Sequence, residues 1–191
     1  MPAAVDHDEK REAIARIAAD LIAERGLDAA TIRQVAAAAG YSTTVVTHYF
    51  ASKRALLLAA YRLAAESTQR RVGALAADCS SNPLSRLEIL LPIDEEGRRA
   101  WRVYLQYWPL ADHDDELAAE QRWWSANGLS LIRTALWQAC PEIEDIDGKA
   151  TIALSTLLGI AIQATFDPEA WPPNRQRKTW HTHCLLLLTK R

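Results

Sequence analysis

Apolar residues in the first stretch of the chain, DHDEKREAIARIAADLIAERG, fall at Ile14, Ile17, Ala18, Leu21 and Ile22. That i, i+3, i+4, i+7, i+8 spacing marks one face of a helix, with Gly26 as its expected stop. The next segment, TIRQVAAAAG, opens on Thr31 with Gln34 three residues on. This is capping-box spacing, and Gly40 ends the element. Ser42 then caps a helix a little over two turns long, STTVVTHYF, and Ser52 caps a long one, KRALLLAAYRLAAESTQRRVGALAA. Two short helices joined by a tight turn containing glycine form a helix-turn-helix.

Past CSSNP the periodicity stays helical. LSRLEILLPI predicts a short helix, and EEGRRAWRVYLQYWPLA carries the stripe Trp101, Tyr104, Leu105 and Trp108. A further helix starts at an acidic cap near Asp114 and ends before Pro141. Another runs through DGKATIALSTLLGIAIQATF to DPEAWPP, and NRQRKTWHTHCLLLLTKR closes the chain. No segment alternates with period two. The expected fold is all-α, with nine helices in two units. Residues 8–55 would form a helix-turn-helix DNA-binding domain, and residues 56–191 a domain for ligand binding and dimerisation.

The short helix after Ser42 poses a chemical question, because threonine is a mediocre helix former. Val46 and Phe50 lie one turn apart and point inward. Thr43, Thr44, Thr47 and His48 then share the other side. Hydroxyls and an imidazole suit phosphates and base edges, and a threonine methyl suits the thymine methyl. The second helix of such a motif lies in the major groove. Lys53 can reach a phosphate at the start of the next helix, whose free amides are themselves an anion site. Thr31 and Arg33 can do the same at the start of the preceding one.

Charge changes the picture only locally. The net charge is -2, yet Ala29 to Ala65 holds no acid while Arg33, Lys53, Arg54 and Arg62 are basic. On charge alone this zone reads as a solvated face; beside the motif it also reads as a footprint for phosphates. Cys79, Cys140 and Cys184 are widely spaced and give no disulfide framework or zinc spacing. That suits a reducing cytoplasm, where the protein is expected. No signal peptide or span long enough for a bilayer is expected either.

TIRQVAAAAGYSTTVVTHYFASKRALL closely resembles the TetR family of repressors, whose signature runs through the helix-turn-helix into YF..K..LL. Tyr49, Phe50, Lys53, Leu56 and Leu57 match it. The THYF form is similar to the BetI-like branch. Thr44 stands where many members have glycine, and Thr47 where many have tyrosine. The resemblance implies DNA contacts at Ser42, Thr43, Thr44, Thr47, His48, Tyr49 and Lys53. RAWRVYLQYWPLADHDDELAAEQRWW and TLLGIAIQATFDPEAWPPNRQRKTW resemble the same branch more loosely, with Leu158 before Gly159. The resemblance further implies a homodimer on a palindromic operator in double-stranded DNA and a cavity for a small-molecule effector among the fourth to eighth of the nine expected helices.

All seven tryptophans lie at or after Trp101, so cavity candidates concentrate there. Trp101, Tyr104, Trp108 and Trp123 could converge, with Asn127 one turn beyond Trp123 as a polar handle and Gln163 and Phe166 closing the third side. Convergent rings favour a flat or cationic ligand; without a carboxylate on these faces, an apolar or aromatic effector is expected ahead of a quaternary ammonium. Aromatic stripes at helical spacing also make plain core. The all-round apolar ending CLLLL needs cover on more than one side, so Leu154, Leu158, Ile162, Cys184, Leu185 and Leu188 are expected at a dimer interface. His181 and His183 sit two apart, on nearly opposite sides of a helix, so no metal site is expected, nor a cofactor. No phosphate loop, dinucleotide fingerprint or catalytic triad motif is present, and an enzyme is not expected. The expected function is a ligand-responsive repressor. A helical small-molecule-binding protein with a vestigial DNA-binding unit remains the alternative.

Overall fold

The computed structural model describes residues 2–76 and 82–189, so Cys79 and its neighbours lie outside the described residues. Eight α-helices and two 3-10 turns follow in order: α1 Pro2–Arg25, η1 Leu27–Ala29, α2 Ile32–Ala39, α3 Thr43–Tyr49, α4 Lys53–Ala76, η2 Ser85–Leu90, α5 Glu95–Ala111, α6 Asp115–Ala139, α7 Ile146–Phe166 and α8 Pro173–Leu188. No strand occurs among the described residues. The segment expected as a short helix at LSRLEILLPI is η2, too brief and proline-bounded for a full α-turn ladder.

Local chemistry sets the element ends. The Thr31 hydroxyl accepts from the Gln34 amide at 3.2 Å and donates to Gln34 Oε1 at 2.7 Å. Gln34 therefore binds the cap hydroxyl itself rather than the cap amide of a full capping box. Gly40 takes φ 69° and closes α2, and the Tyr41 amide reaches back to the Ala36 carbonyl at 2.9 Å. A side chain there would be strained by the left-handed backbone. Ser42, Ser52, Asp94 and Asp114 cap α3, α4, α5 and α6 through their side-chain oxygens.

Two clusters of buried side chains share one body. The first joins α1, α2, α3 and the front half of α4, through Ile14, Ile22, Val35, Val46, Phe50 and Leu56. Val103 and Tyr107 of α5 and Leu117 of α6 belong to it as well. The second cluster joins η2, α5, α6, α7 and α8 around Trp101, Ile132, Leu136 and Trp180. Trp180 is fully buried and its indole N–H donates to the Leu84 carbonyl at 3.1 Å. Helix α4 thus serves both units: its first three turns pack on the helix-turn-helix and its later turns enter the second unit.

Candidate DNA interface and effector cavity

Helix α3 has one buried side and one free side. Val46 and Phe50 are buried to 0% and 1% exposure, while Ser42, Thr43, Thr44, Thr47 and His48 are exposed. Removing the Phe50 ring would cost about 3–5 kcal/mol, the range for large core aromatics. The outer side chains therefore stand on a firm base. The Ser42 hydroxyl is occupied as a cap, and the Thr47 hydroxyl donates back to the Thr44 carbonyl at 3.1 Å. Tyr49 is half-buried, its ring 5.3 Å from that of His48. His7 of α1 lies 4.6 Å from Tyr49 and 5.9 Å from His48. Nothing in the spacing of the chain pointed to His7, because it comes from a different helix. Arg33 is exposed at the start of α2. The Lys53 ammonium lies at the start of α4, 3.6 Å from the exposed carboxylate of Asp28.

The rest of the basic zone has another use. Arg54 pairs with Asp114 and Glu116, Arg62 with Glu120, and Arg71 with Asp94 and Glu96. These arginines tie α4 to α5 and α6 and are not a face for phosphates. Of that zone Lys53 and Arg33 remain beside α3, and the exposed Arg11 of α1 lies over the Phe50 ring at 5.1 Å.

A cavity of about 220 Å³ opens between α4, η2, α5, α6 and α7. Trp101, Tyr104 and Trp108 of α5 line it as expected, as does Asn127 of α6. Trp101 meets Tyr104 and Trp108 edge-on at 5.7 and 5.8 Å. Three other predicted lining residues are corrected. Trp123 is 56% exposed and faces an outer groove beside Arg62 and Glu66. Its neighbour Trp124 occupies the wall, because α6 is rotated one residue from the expected phase. Gln163 is exposed, and Phe166 is 76% exposed at the very end of α7, so neither reaches the cavity. Sequence reasoning also missed Tyr61, Thr68, Gln69 and Val72 of α4, and Gln121 of α6.

Among the described residues the wall carries no Asp, Glu, Lys, Arg or His. Tyr61 donates to Gln121 Oε1, which also accepts from Trp108 Nε1 at 2.7 Å. Tyr104 shares a hydrogen bond with Thr68 at 2.9 Å. Burial pushes the Tyr104 phenol up to about 12 and raises Tyr61 further, so both stay neutral.

The predicted dimer residues divide. Cys184 is buried in the protomer's own core at 2% exposure, and Leu154 and Leu158 line the cavity. Ile162 and Leu188 pack half-buried on that same core. Only Leu185 stands free, at 71% exposure, joined by Leu186 and Ile152. The physical reason is that α8 turns one apolar side to its own α7, leaving a single side over. In the same helix, His181 Nε2 meets Glu88 at 2.6 Å and His183 rests against Trp180.

A capped two-helix reader with a firm base, carried by a helical body with a cavity, defines a helix-turn-helix transcriptional regulator. The chain belongs to the TetR family: residues 14–60 match the bacterial regulatory proteins of the tetR family, and residues 85–189 match the BetI-type transcriptional repressor C-terminal domain. Among curated relatives, the HTH-type transcriptional regulator PksA of Bacillus subtilis (strain 168) is 28% identical over 173 residues, covering 88% of this chain and 84% of that protein. The HTH-type transcriptional regulator BetI of Stenotrophomonas maltophilia is 32% identical over 117 residues, covering 59% and 60%. A regulator from Rhodococcus sp. Rha1 superposes with a TM-score of 0.81 at 27% identity, over 93% of this chain and 95% of that one. A regulator from Saccharomonospora viridis, solved in complex with choline, gives 0.86 at 23% identity over 96% and 100%, which bears on the fold alone. The chain is a regulator and not an enzyme.

Proposed function

We propose that the protein represses transcription as a homodimer on a palindromic operator and is released when a small, mostly apolar or aromatic molecule fills the cavity. The observation that carries this reading is the reach of α4. Lys53 begins the helix beside α3, and Tyr61, Thr68, Gln69 and Val72 of the same helix line the cavity. Tyr61 is eight residues on, about 12 Å along the axis. A ligand that shifts α4 moves the DNA-reading end with it. Two recognition helices in a dimer have to sit about 34–36 Å apart to enter successive major grooves. A ligand that prefers another spacing lowers DNA affinity, and only by as much as that preference.

Thr43, Thr44, Thr47 and His48 would face the bases, with Ser42, Tyr49, Thr31, Arg33 and Lys53 at the backbone. Leu185 and its exposed neighbours would meet a second copy. The reader of a bacterial operator works in the cytoplasm, where we place the protein, with no membrane partner. The test is selection of a binding site from random-sequence duplexes, then anisotropy titration of the selected duplex at several salt concentrations and with added small aromatic compounds. A salt-insensitive or sequence-blind interaction would end the operator reading.

A further inference from the structure

We propose that the cavity takes a small uncharged molecule bearing one oxygen, and that Asn127 is the residue that reads this oxygen. The proposal rests on the cavity being the effector site, as argued above. Asn127 lies on α6 between Trp124 and Gly128 of the wall. Its side-chain nitrogen is buried and has no hydrogen-bond partner. An unpartnered buried amide costs about 1–3 kcal/mol. A site that keeps one is explained by a partner that arrives from outside the protein.

The ring tips around the cavity are already engaged, and the two remaining polar lining residues, Gln69 and Ser125, are exposed to solvent. Trp101 Nε1 donates to the Leu90 carbonyl at 2.7 Å, and Trp124 Nε1 to Glu120 Oε1 at 2.9 Å. Trp108 and Tyr61 both donate to Gln121, and Tyr104 is bonded to Thr68. The rings therefore offer the occupant faces and edges, and among the lining residues Asn127 offers the buried, unpartnered donor.

Neutrality follows from what surrounds the rings. Glu120 touches the wall only through the Trp124 indole, and Arg62 binds its other oxygen at 2.5 Å. That guanidinium, first among the causes, holds the Glu120 carboxyl below its usual range. Its charge is thus spent outside the cavity. A cation inside would gain from ring faces but would leave its hydration with no counter-charge, which is costly. An anion would meet the negative ring faces. The volume of about 220 Å³ falls below the ~300–1,000 Å³ of drug-sized sites, so the occupant is small. A hydroxyl suits Asn127 whichever way its amide is turned, because it both donates and accepts.

Choline and 3,3-dimethylbutan-1-ol make the decisive pair. They share shape, arm and hydroxyl, and differ in a quaternary nitrogen against a quaternary carbon. Both are titrated into the full-length protein by calorimetry and by tryptophan fluorescence. The alcohol is expected to bind the wild type at least about tenfold more tightly, a difference of about 1.4 kcal/mol. Asn127→Leu should weaken the alcohol by about 3- to 10-fold, the size of one net hydrogen bond. Asn127→Asp keeps the shape, adds a charge, and should reverse the order so that choline is favoured. Thermal unfolding and duplex binding of each variant check the fold; if Asn127→Asp does not fold, Asn127→Leu carries the test of that residue. Equal or tighter binding of choline by the wild type overturns the neutral occupant and leaves the cavity reading standing. Unchanged affinity of the alcohol in Asn127→Leu overturns the role of Asn127. Binding of neither probe overturns both this inference and the cavity reading.

Discussion

Arg54 and Asp114 hold the starts of two helices together: Arg54 Nη2 donates to Asp114 Oδ1 at 2.6 Å, and its Nε to the other oxygen. Asp114 is also the cap of α6, accepting from the Glu116 and Leu117 amides at 3.1 Å. Arg54 follows Lys53 directly, so this pair fixes the end of α4 nearest the recognition helix to the helix that carries Trp124 and Asn127.

The pair makes stability depend on pH in the acid range. Arg54, first, and then the Leu117 amide hold the Asp114 carboxyl far below the usual carboxylate range. A depressed carboxyl contributes stability that is fully present above its unfolded value, near ~4. That contribution is lost as pH falls through the folded value. Asp114→Asn retains a good cap and removes the charge. Its melting temperature should lie below wild type by a constant margin from neutral pH down to about 5, and the margin should shrink below about 4. Calorimetric melts across that range measure it; a margin that grows in acid would contradict the assignment.

The exposed side of α3 gives a second expectation. Thr43→Ala, Thr44→Ala and His48→Ala should each weaken the selected duplex by about 1–3 kcal/mol and relax specificity at one position. Lys53→Ala should weaken all duplexes alike and lower the salt slope by about 1. Arg54→Ala and Arg62→Ala should leave that slope unchanged, since both side chains are bound to carboxylates of α6. Anisotropy titrations at four salt concentrations separate the two groups, and a changed slope for Arg62→Ala would return it to the DNA face.

The contrast between α3 and the cavity shows what the chain made legible. The two sides of α3 follow from residue spacing within one short helix, as do the caps at Thr31, Ser42 and Asp114. The cavity depends instead on how five elements cross. Spacing on α6 joined Asn127 to Trp123 four residues before it. The packed helix instead turns Gln121, Trp124, Asn127 and Gly128 inward. Adjacent residues sit about 100° apart on a helix, so a small error in rotation exchanges the two tryptophans. The resemblance put α4 at the cavity but did not single out its lining residues, because LLLAAY is apolar nearly all round and its inner faces are apportioned only by its neighbours. The His7–Tyr49 contact was hidden for the same reason.

That exchange can be tested directly. Trp123→Ala removes an exposed ring and should change stability by no more than about 0.5 kcal/mol, leaving duplex release by the effector intact. Trp124→Leu and Trp108→Leu remove wall, and each should raise the effector concentration needed for release while duplex binding without effector stays at the wild-type level. Release assays on the three variants give the result. Equal loss in all three would put Trp123 back at the cavity.

The last expectation concerns the apolar surface left over on α7 and α8. Leu185 and Leu186 are 71% and 68% exposed, and Ile152 and Phe166 of α7 also stand out. Helix α7 is long and apolar enough to cross a bilayer by composition, yet only a third of its apolar window is buried in the protomer. Thr151, Ser155 and Gln163 interrupt its exposed side. The Thr151 and Ser155 hydroxyls donate to the Asp147 and Thr151 carbonyls at 2.9 Å, but lipid would leave the Gln163 amide unpaired, whereas a second protein surface can bond it. A second copy of this chain is therefore the expected cover. Leu185→Arg should give a monomer in sedimentation velocity at micromolar concentration, with wild-type helicity, because the side chain is free in the protomer. Leu157→Arg, at a position 2% exposed, should unfold the protein instead, since it buries an unpaired charge. The Leu185→Arg monomer should also lose most of its affinity for a palindromic duplex, whose second half-site it cannot hold. A monomeric wild type, or a Leu185→Arg variant that still sediments as a dimer, would place the interface elsewhere.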